Sequence, residues 1–187
     1  MSVEKSLSES AQWFLRDFQK LLDDFAVEED VWIVAIDKKE NLVTESPGVQ
    51  RVFKLIMATE EGKIRYRDNY KMAFTLIKTQ GKTIFSDDFA GFASAWLPIS
   101  VRGSLIGLMI ISGGRYDRGE IREKLREKYS KLADELGIVD KEDFIKAAIE
   151  EVKIVDEEEM EKKAGKLKKL IEVLLETTQT PLKEVFG

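Results

Sequence analysis

Between Phe85 and Gly114 the chain carries two long apolar runs that meet at Arg102-Gly103, a two-residue turn of the kind that closes β-hairpins. Pairing across that turn sets Leu97 opposite Leu108, Ile99 opposite Ile106 and Ala95 opposite Ile110 on one face. It sets Trp96 opposite Met109, Ser94 opposite Ile111 and Ser100 opposite Leu105 on the other. Neither face is polar, so a sheet built on this hairpin must be covered on both sides. Helices elsewhere in the chain can cover one face. The other calls for a loop, a partner subunit or a small ligand, and which of these it is decides the function.

The chain has 187 residues, enough for one domain with a sizeable core. It contains no histidine and no cysteine. Those absences exclude thiolate catalysis, Ser-His-Asp relays, Cys/His zinc sites, Cys-bound clusters, His-bound haem and disulfides. Carboxylates remain, but no Asp-x-Asp-x-Asp-Gly calcium loop is present. The expectation is a protein that is not an enzyme and holds no metal or cofactor. A net charge of −5 argues against a nucleic-acid footprint. No apolar run reaches the length of a membrane span and no signal-peptide core opens the chain, so the expected compartment is the cytoplasm.

Periodicity supplies the order of elements. Phe14, Phe18, Leu21, Leu22 and Phe25 recur at the spacing of one buried helix face within residues 8–26. A short apolar strand, 31–36, turns at Asp37 to Asn41 and returns from Leu42. A helix with Val52, Phe53, Leu55 and Ile56 follows, and Thr59 caps another that carries Tyr66, Tyr70, Ala73, Phe74 and Ile77 before Gly81 stops it. A strand from Thr83 leads into the hairpin. Helices, strands, helices and strands in this order predict an α+β fold: a PAS/GAF-like antiparallel sheet of about five strands flanked by helices.

After Gly114 the sequence turns helical and charged, which predicts a C-terminal helical extension. Leu125, Tyr129, Leu132, Ala133 and Leu136 form one stripe, Asp140 caps a second helix, and Asp156 with Glu159 opens a third. That last helix sets Met160, Ala164, Leu167, Ile171 and Leu174 in a heptad-like row. Its lysines interleave with glutamates as a solvated face rather than a DNA contact. Residues 177–187 read as a frayed tail or linker.

Several of these segments resemble the PocR-type sensory domain, a PAS-like family associated with bacterial and archaeal signalling proteins. The resemblance rests on Val34 to Asp37, Phe53 to Ile56 before Glu61-Gly62, Thr79 to Gly81, Ala90 to Phe92, Leu97 to Ile99, Leu105 to Gly107 and Ser112 to Gly114. It continues at Leu132 to Gly137 and extends from about Asp17 to Leu175. The resemblance implies binding of small organic molecules, simple hydrocarbon derivatives such as diols among them, coupled to transcription or kinase output. It also shows a departure. Many members carry cysteine at the positions of Lys54, Tyr66 and Asp88, and histidine at Phe89, so a metal or redox role there does not carry over. On this basis residues 1–116 are expected to form the sensory core and 117–187 an extension packed on it as one compact unit.

The candidate ligand-binding set is Tyr66, Tyr70, Phe53, Phe89, Phe92, Ser94, Trp96, Met109 and Asp88. Trp96 and Met109 read either as an adaptable apolar pocket wall or as ordinary core. The two tyrosines read either as hydroxyls that orient a ligand or as amphipathic packing. Asp87 and Asp88 read as acceptors at a pocket mouth, as an acid–base pair, or as a solvated loop pair. Gly113-Gly114-Arg115 reads as an anion-binding nest beside a guanidinium, or as a strand end needing small residues. The leading expectation is a sensor for a small, mostly apolar organic ligand (hydrocarbon derivative, diol or short acid). Its rival is a dimerisation or protein-interaction module derived from the same fold. A homodimer is expected through the N-terminal helix with Trp13 or the helix with Leu167, Ile171 and Leu174, with an output domain or signalling partner lying outside the chain.

Overall fold

The structure is a computed structural model that describes residues 7–177, 182 and 184–187. Its elements run α1 (Glu9–Glu29), β1 (Trp32–Asp37), β2 (Leu42–Glu45), α2 (Arg51–Met57), α3 (Glu60–Gln80), β3 (Ile84–Asp87), β4 (Ala93–Val101) and β5 (Ser104–Tyr116). Then follow α4 (Arg122–Leu136), α5 (Lys141–Lys146), a π-helical turn (Ala147–Glu151), β6 (Ile154–Val155) and α6 (Glu157–Thr177). The helices start and stop at residues chemically suited to it. The side chains of Thr59, Asp140 and Asp156 accept from the backbone N–H of Gly62, Asp143 and Glu159. Gly81 and Gly137 end α3 and α4 in the left-handed conformation.

Five strands form an antiparallel sheet in the order β2-β1-β5-β4-β3, and β6 adds in parallel at the end of β5. This is an α+β fold of the PAS/GAF-like kind, with the long hairpin at its centre. Arg102 (φ 50°) and Gly103 (φ 77°) both adopt positive φ, as a two-residue hairpin turn of this type requires.

The hairpin register differs from the expected one. Ser100 pairs with Leu105 as predicted, but Ile99 then pairs with Gly107, leaving Ile106 as an extra residue in β5. Between this bulge and a second one at Ala93/Ser94 the pairs have moved by one: Trp96 faces Ile110, Leu97 faces Met109, and Ser94 faces Ser112. Because side chains alternate across a strand, the slip sends Met109 to the opposite side of the sheet from Trp96.

Both faces are covered by helices of the same chain. On one side Phe14, Phe18, Leu22 and Phe25 of α1 and Met160, Leu167 and Ile171 of α6 pack on Ile33, Leu97, Met109 and Ile111. On the other, α2, α3, α4 and α5 pack on Trp32, Val34, Trp96 and Ile110. The expectation that one face would need a loop, a partner subunit or a ligand to cover it is therefore corrected, and Leu167 and Ile171 are buried within the chain rather than on a dimer surface. The tail is also more than a linker. Leu182 and Phe186 are buried in the core under α1, with Phe18 edge-on to Phe186 at 5.9 Å, while residues 178–181 and 183 lie outside the described residues. A Cβ at Gly107 would come within 2.7 Å of the Phe186 ring and 2.5 Å of the Ile36 carbonyl oxygen, which explains the glycine beside the bulge.

Candidate ligand-binding site

The face under α2–α4 is built in registered rows. Ser86, Ser94, Ser112 and Trp32 stand side by side across β3, β4, β5 and β1, and Ile84, Trp96, Ile110 and Val34 form the next row. Over the rows lies a chain of rings. Phe53 of α2 packs on Trp32 and on Phe92, each at 5.1 Å, and on Tyr66 at 6.0 Å. Phe92 stacks on Tyr129 at 5.9 Å, and Tyr129 meets Phe144 edge-on at 6.1 Å. Tyr66 in turn touches Phe89 at 4.9 Å and Tyr70 at 6.1 Å. Aromatic pairs of this spacing contribute beyond the area they bury, so the cluster is stiff as well as apolar.

Between β1, β2, α2 and the middle of α3 this cluster leaves a cavity of about 400 Å³. Trp32, Val34, Ile36, Leu42, Val49, Phe53 and Met57 give it apolar walls, and Tyr70, Lys54, Glu40 and Glu45 supply its polar groups. Its size and its apolar lining with few polar groups are those of a small-molecule site. A wider, more polar cleft of about 730 Å³ opens at the hairpin end beside Phe74, Ile77, Lys78 and Leu105.

Asp88 organises the edge of the site. It sits in the turn between β3 and β4, where its Oδ1 accepts from the backbone N–H of Ala90 and of Phe92, both at 2.9 Å. Its Oδ2 accepts from the Tyr66 hydroxyl at 3.0 Å, which staples α3 to the turn. Burial pushes the Asp88 carboxyl up to about 6, against the pull of the hydrogen bonds from Phe92, Tyr66, Ala90 and Gly91. The same burial raises the hydroxyls of Tyr66 and Tyr70, with the Asp88 charge adding to it. Asp88 is thus a buried structural acceptor, not half of a solvated pair. Asp87 instead forms an ion pair with Arg118 at 3.3 Å.

Of the expected residues, Phe53 and Tyr70 line the cavity, while Tyr66, Phe89, Phe92 and Asp88 form the cluster beside it. Ser94 and Trp96 lie on the same sheet face without reaching the cavity, and the Ser94 hydroxyl shares a hydrogen bond with that of Ser112 at 3.0 Å. Met109 does not join them: the bulge places it in the opposite core. Sequence reasoning missed the walls from β1 and β2, above all Trp32. An aromatic next to the central strand is a signal only once the pairing of β1 with β5 is known. It also weighted Gly113-Gly114-Arg115 by its glycines. These stay in the strand without positive φ and form no nest; a Cβ would meet Val31 or Val155. Arg115, by contrast, is buried on the aromatic side.

Residues 14–179 match the model of the sensory domain found in PocR, which places the chain in a class of sensory domains. The chain belongs to the PocR sensory-domain family. A comparison with curated proteins finds no match. No helix among the described residues is long and apolar enough to cross a membrane.

Proposed function

We propose that the protein senses a small organic molecule bound between the sheet and α2–α3, and that occupancy is relayed through the C-terminal helices to transcriptional or signalling output. The observation that carries this is the cavity of about 400 Å³ bordered by Trp32, Phe53 and Tyr70. Unlike the wider cleft at the hairpin end, this is a mostly apolar space with few polar groups. The helices that border it are tied to the C-terminal part. Arg51 of α2 binds Asp143 and, at 2.8 Å, Glu151 of the π turn; Arg65 of α3 binds Glu135 of α4 at 2.9 Å. A ligand that moves α2 therefore pulls on α5 and the π turn, and it shifts their positions only as far as it binds one arrangement better than another.

Thermal-shift screening of diols, short alcohols and short acids tests the proposal, because binding to the folded state raises its stability by mass action. At least one class should raise the melting temperature, and Phe53→Ala should abolish that response. The rival, a dimerisation or interaction module, is favoured by Trp13 of α1, which stays half-exposed. Sedimentation as a dimer that Trp13→Glu dissociates, with no response to any compound, would establish that rival instead.

A further inference from the structure

The side of the sheet that faces the aromatic cluster holds buried polar atoms that the chain does not satisfy. Among the described residues Trp32 Nε1, Trp96 Nε1 and Arg115 Nη1 have no acceptor, and the Tyr129 hydroxyl, with the Arg115 guanidinium beside it, has none for its own proton. The first three only donate, and the fourth can donate. Ser94 and Ser112 bond to each other, which leaves one further hydroxyl hydrogen available. Acceptors are scarce: Gln50 Oε1, at the start of α2, is unpaired, but the oxygens of Asp88 are already taken by Ala90, Phe92 and Tyr66. Buried polar groups in native proteins are normally paired, so a surplus of donors on one face points to an acceptor that arrives from outside.

Arg115 is the sharpest case. It is 7% exposed, yet among the described residues no carboxylate lies within ion-pair distance of it. Arg51, Arg65, Arg118, Arg122 and Arg126 each have an acidic partner. A buried lysine relieves such a position by losing its proton, but a guanidinium stays charged. The cost of an isolated buried charge therefore stands until an anion relieves it. Glu120, the nearby acid on the approach to α4, faces Lys128 at 3.8 Å. Tyr129 lies beside Arg115, and the guanidinium approaches its hydroxyl as a hydrogen-bond donor: burial raises the tyrosine, and the charge and hydrogen bond of Arg115 pull it the other way.

We propose that Arg115 and Tyr129 bind the carboxylate of a small organic acid whose carbon skeleton lies among Phe92, Phe53 and Trp32. This rests on the sensory site proposed above and names its ligand class: an acid rather than a diol. Guanidinium and hydroxyl supply charge-assisted donors to the two carboxylate oxygens, and the rings supply the apolar contact. Phe92 packs on Phe53 at one end and on Tyr129 at the other, so it stands between the cavity and the arginine. Entry of the acid parts this stack. The movement is passed directly to α4, which carries Tyr129, and to β6, whose neighbour Lys153 accepts a hydrogen bond from the Arg115 backbone N–H.

The test titrates the full chain with matched pairs, butyrate against 1-butanol and benzoate against benzyl alcohol, read by thermal shift and calorimetry at fixed ionic strength. The acids should bind and the alcohols should not. Arg115→Met and Tyr129→Phe should each weaken acid binding by about tenfold or more, the size expected for a lost charge-assisted bond. Tyr129→Phe keeps the ring and removes only the hydroxyl, so it remains informative if the arginine variant folds poorly. A response to alcohols or diols with the acids silent overturns the acid assignment while leaving the sensor intact. Acid binding that survives both substitutions also overturns it. Silence of both classes overturns the acid assignment and the sensory site together.

Discussion

The two faces of the sheet are covered by helices of one chain, yet they are not built alike. The face under α1 and α6 is closed by Phe14, Phe18, Leu22, Leu167 and Ile171 over alanines and aliphatic residues of the strands. The face under α2–α4 carries linked aromatic rings, a cavity of about 400 Å³ and, among the described residues, unpaired buried donors at Trp32, Trp96 and Arg115. On the first face the two unpaired buried polar atoms among the described residues, Asp87 Oδ1 and the Tyr116 hydroxyl, lie at the ends of β3 and β5, and close apolar packing between is the solution for stability. A void lined by rings, with unsatisfied donors nearby, is poor for stability and suits a molecule that comes and goes. On the proposed reading, one face holds the domain together and the other receives the ligand.

The largest effect should fall on the closed face. Phe18 is fully buried in stacked contact with Phe14 and edge contact with Phe186, so Phe18→Ala should cost about 3–5 kcal/mol in chemical denaturation. Whatever fraction remains folded should bind ligand with unchanged affinity. Phe53→Ala borders space that already exists, so it should cost toward the lower end of that range and eliminate ligand binding. If Phe18→Ala also removes binding while Phe53→Ala leaves it intact, the division between the faces is wrong.

A second test uses pH. The Asp88 carboxyl rises from its ordinary 3.8 to about 6 in the folded protein, so between those values the native state holds a proton that the unfolded chain has lost. Its contribution to stability therefore falls as pH rises from about 4 to about 6 and is level above, by on the order of 2–3 kcal/mol. Asp88→Asn has no charge to lose. Its carbonyl can keep the bonds from Ala90 and Phe92 while its amide donates to the Tyr66 hydroxyl. The difference in stability between variant and wild type should grow in favour of the variant across that window. A difference independent of pH would mean that Asp88 is ionised without penalty and the edge of the site is wetter than it looks.

Much of this architecture is legible in the sequence, and what is not has a physical reason. Thr59, Asp140, Asp156, Gly81 and Gly137 mark their helix ends by local chemistry, and Arg102-Gly103 marks the turn, because each needs only its neighbours to act. Register is different. In a sheet with one polar face, a one-residue slip would expose apolar groups, so the pattern itself would rule it out. Here both faces are apolar, and the bulge at Ile106 moves Met109 from one core to the other without leaving a trace in composition. The cavity walls from β1 and β2 were hidden for a related reason: pairing of β1 with β5 joins residues more than seventy positions apart. Tyr66, Phe53 and Phe92 were legible because helix periodicity and a tight turn already place them together. Arg115 stood in view, but its meaning depends on a missing partner, and no local pattern records that.

The smallest expected effect separates a satisfied hydroxyl from an unsatisfied one. Tyr66 donates to Asp88 at 3.0 Å in a buried setting, so Tyr66→Phe removes a real bond and leaves the carboxylate short of a donor, at about 1–3 kcal/mol. Tyr129 is fully buried, and its hydroxyl has the Arg115 guanidinium beside it but, among the described residues, no acceptor for its own proton. Tyr129→Phe keeps the stack on Phe92 and the edge contact with Phe144, and should change the stability of the ligand-free protein by less than about 0.5 kcal/mol. With butyrate or benzoate present the order should reverse for the ligand-dependent part: Tyr129→Phe loses the added stability, because the hydroxyl then has an acceptor to lose. Equal costs for the two substitutions without ligand would show that the Tyr129 hydroxyl is already satisfied within the chain. The donor surplus that distinguishes the two faces would then shrink to the indole nitrogens and Arg115.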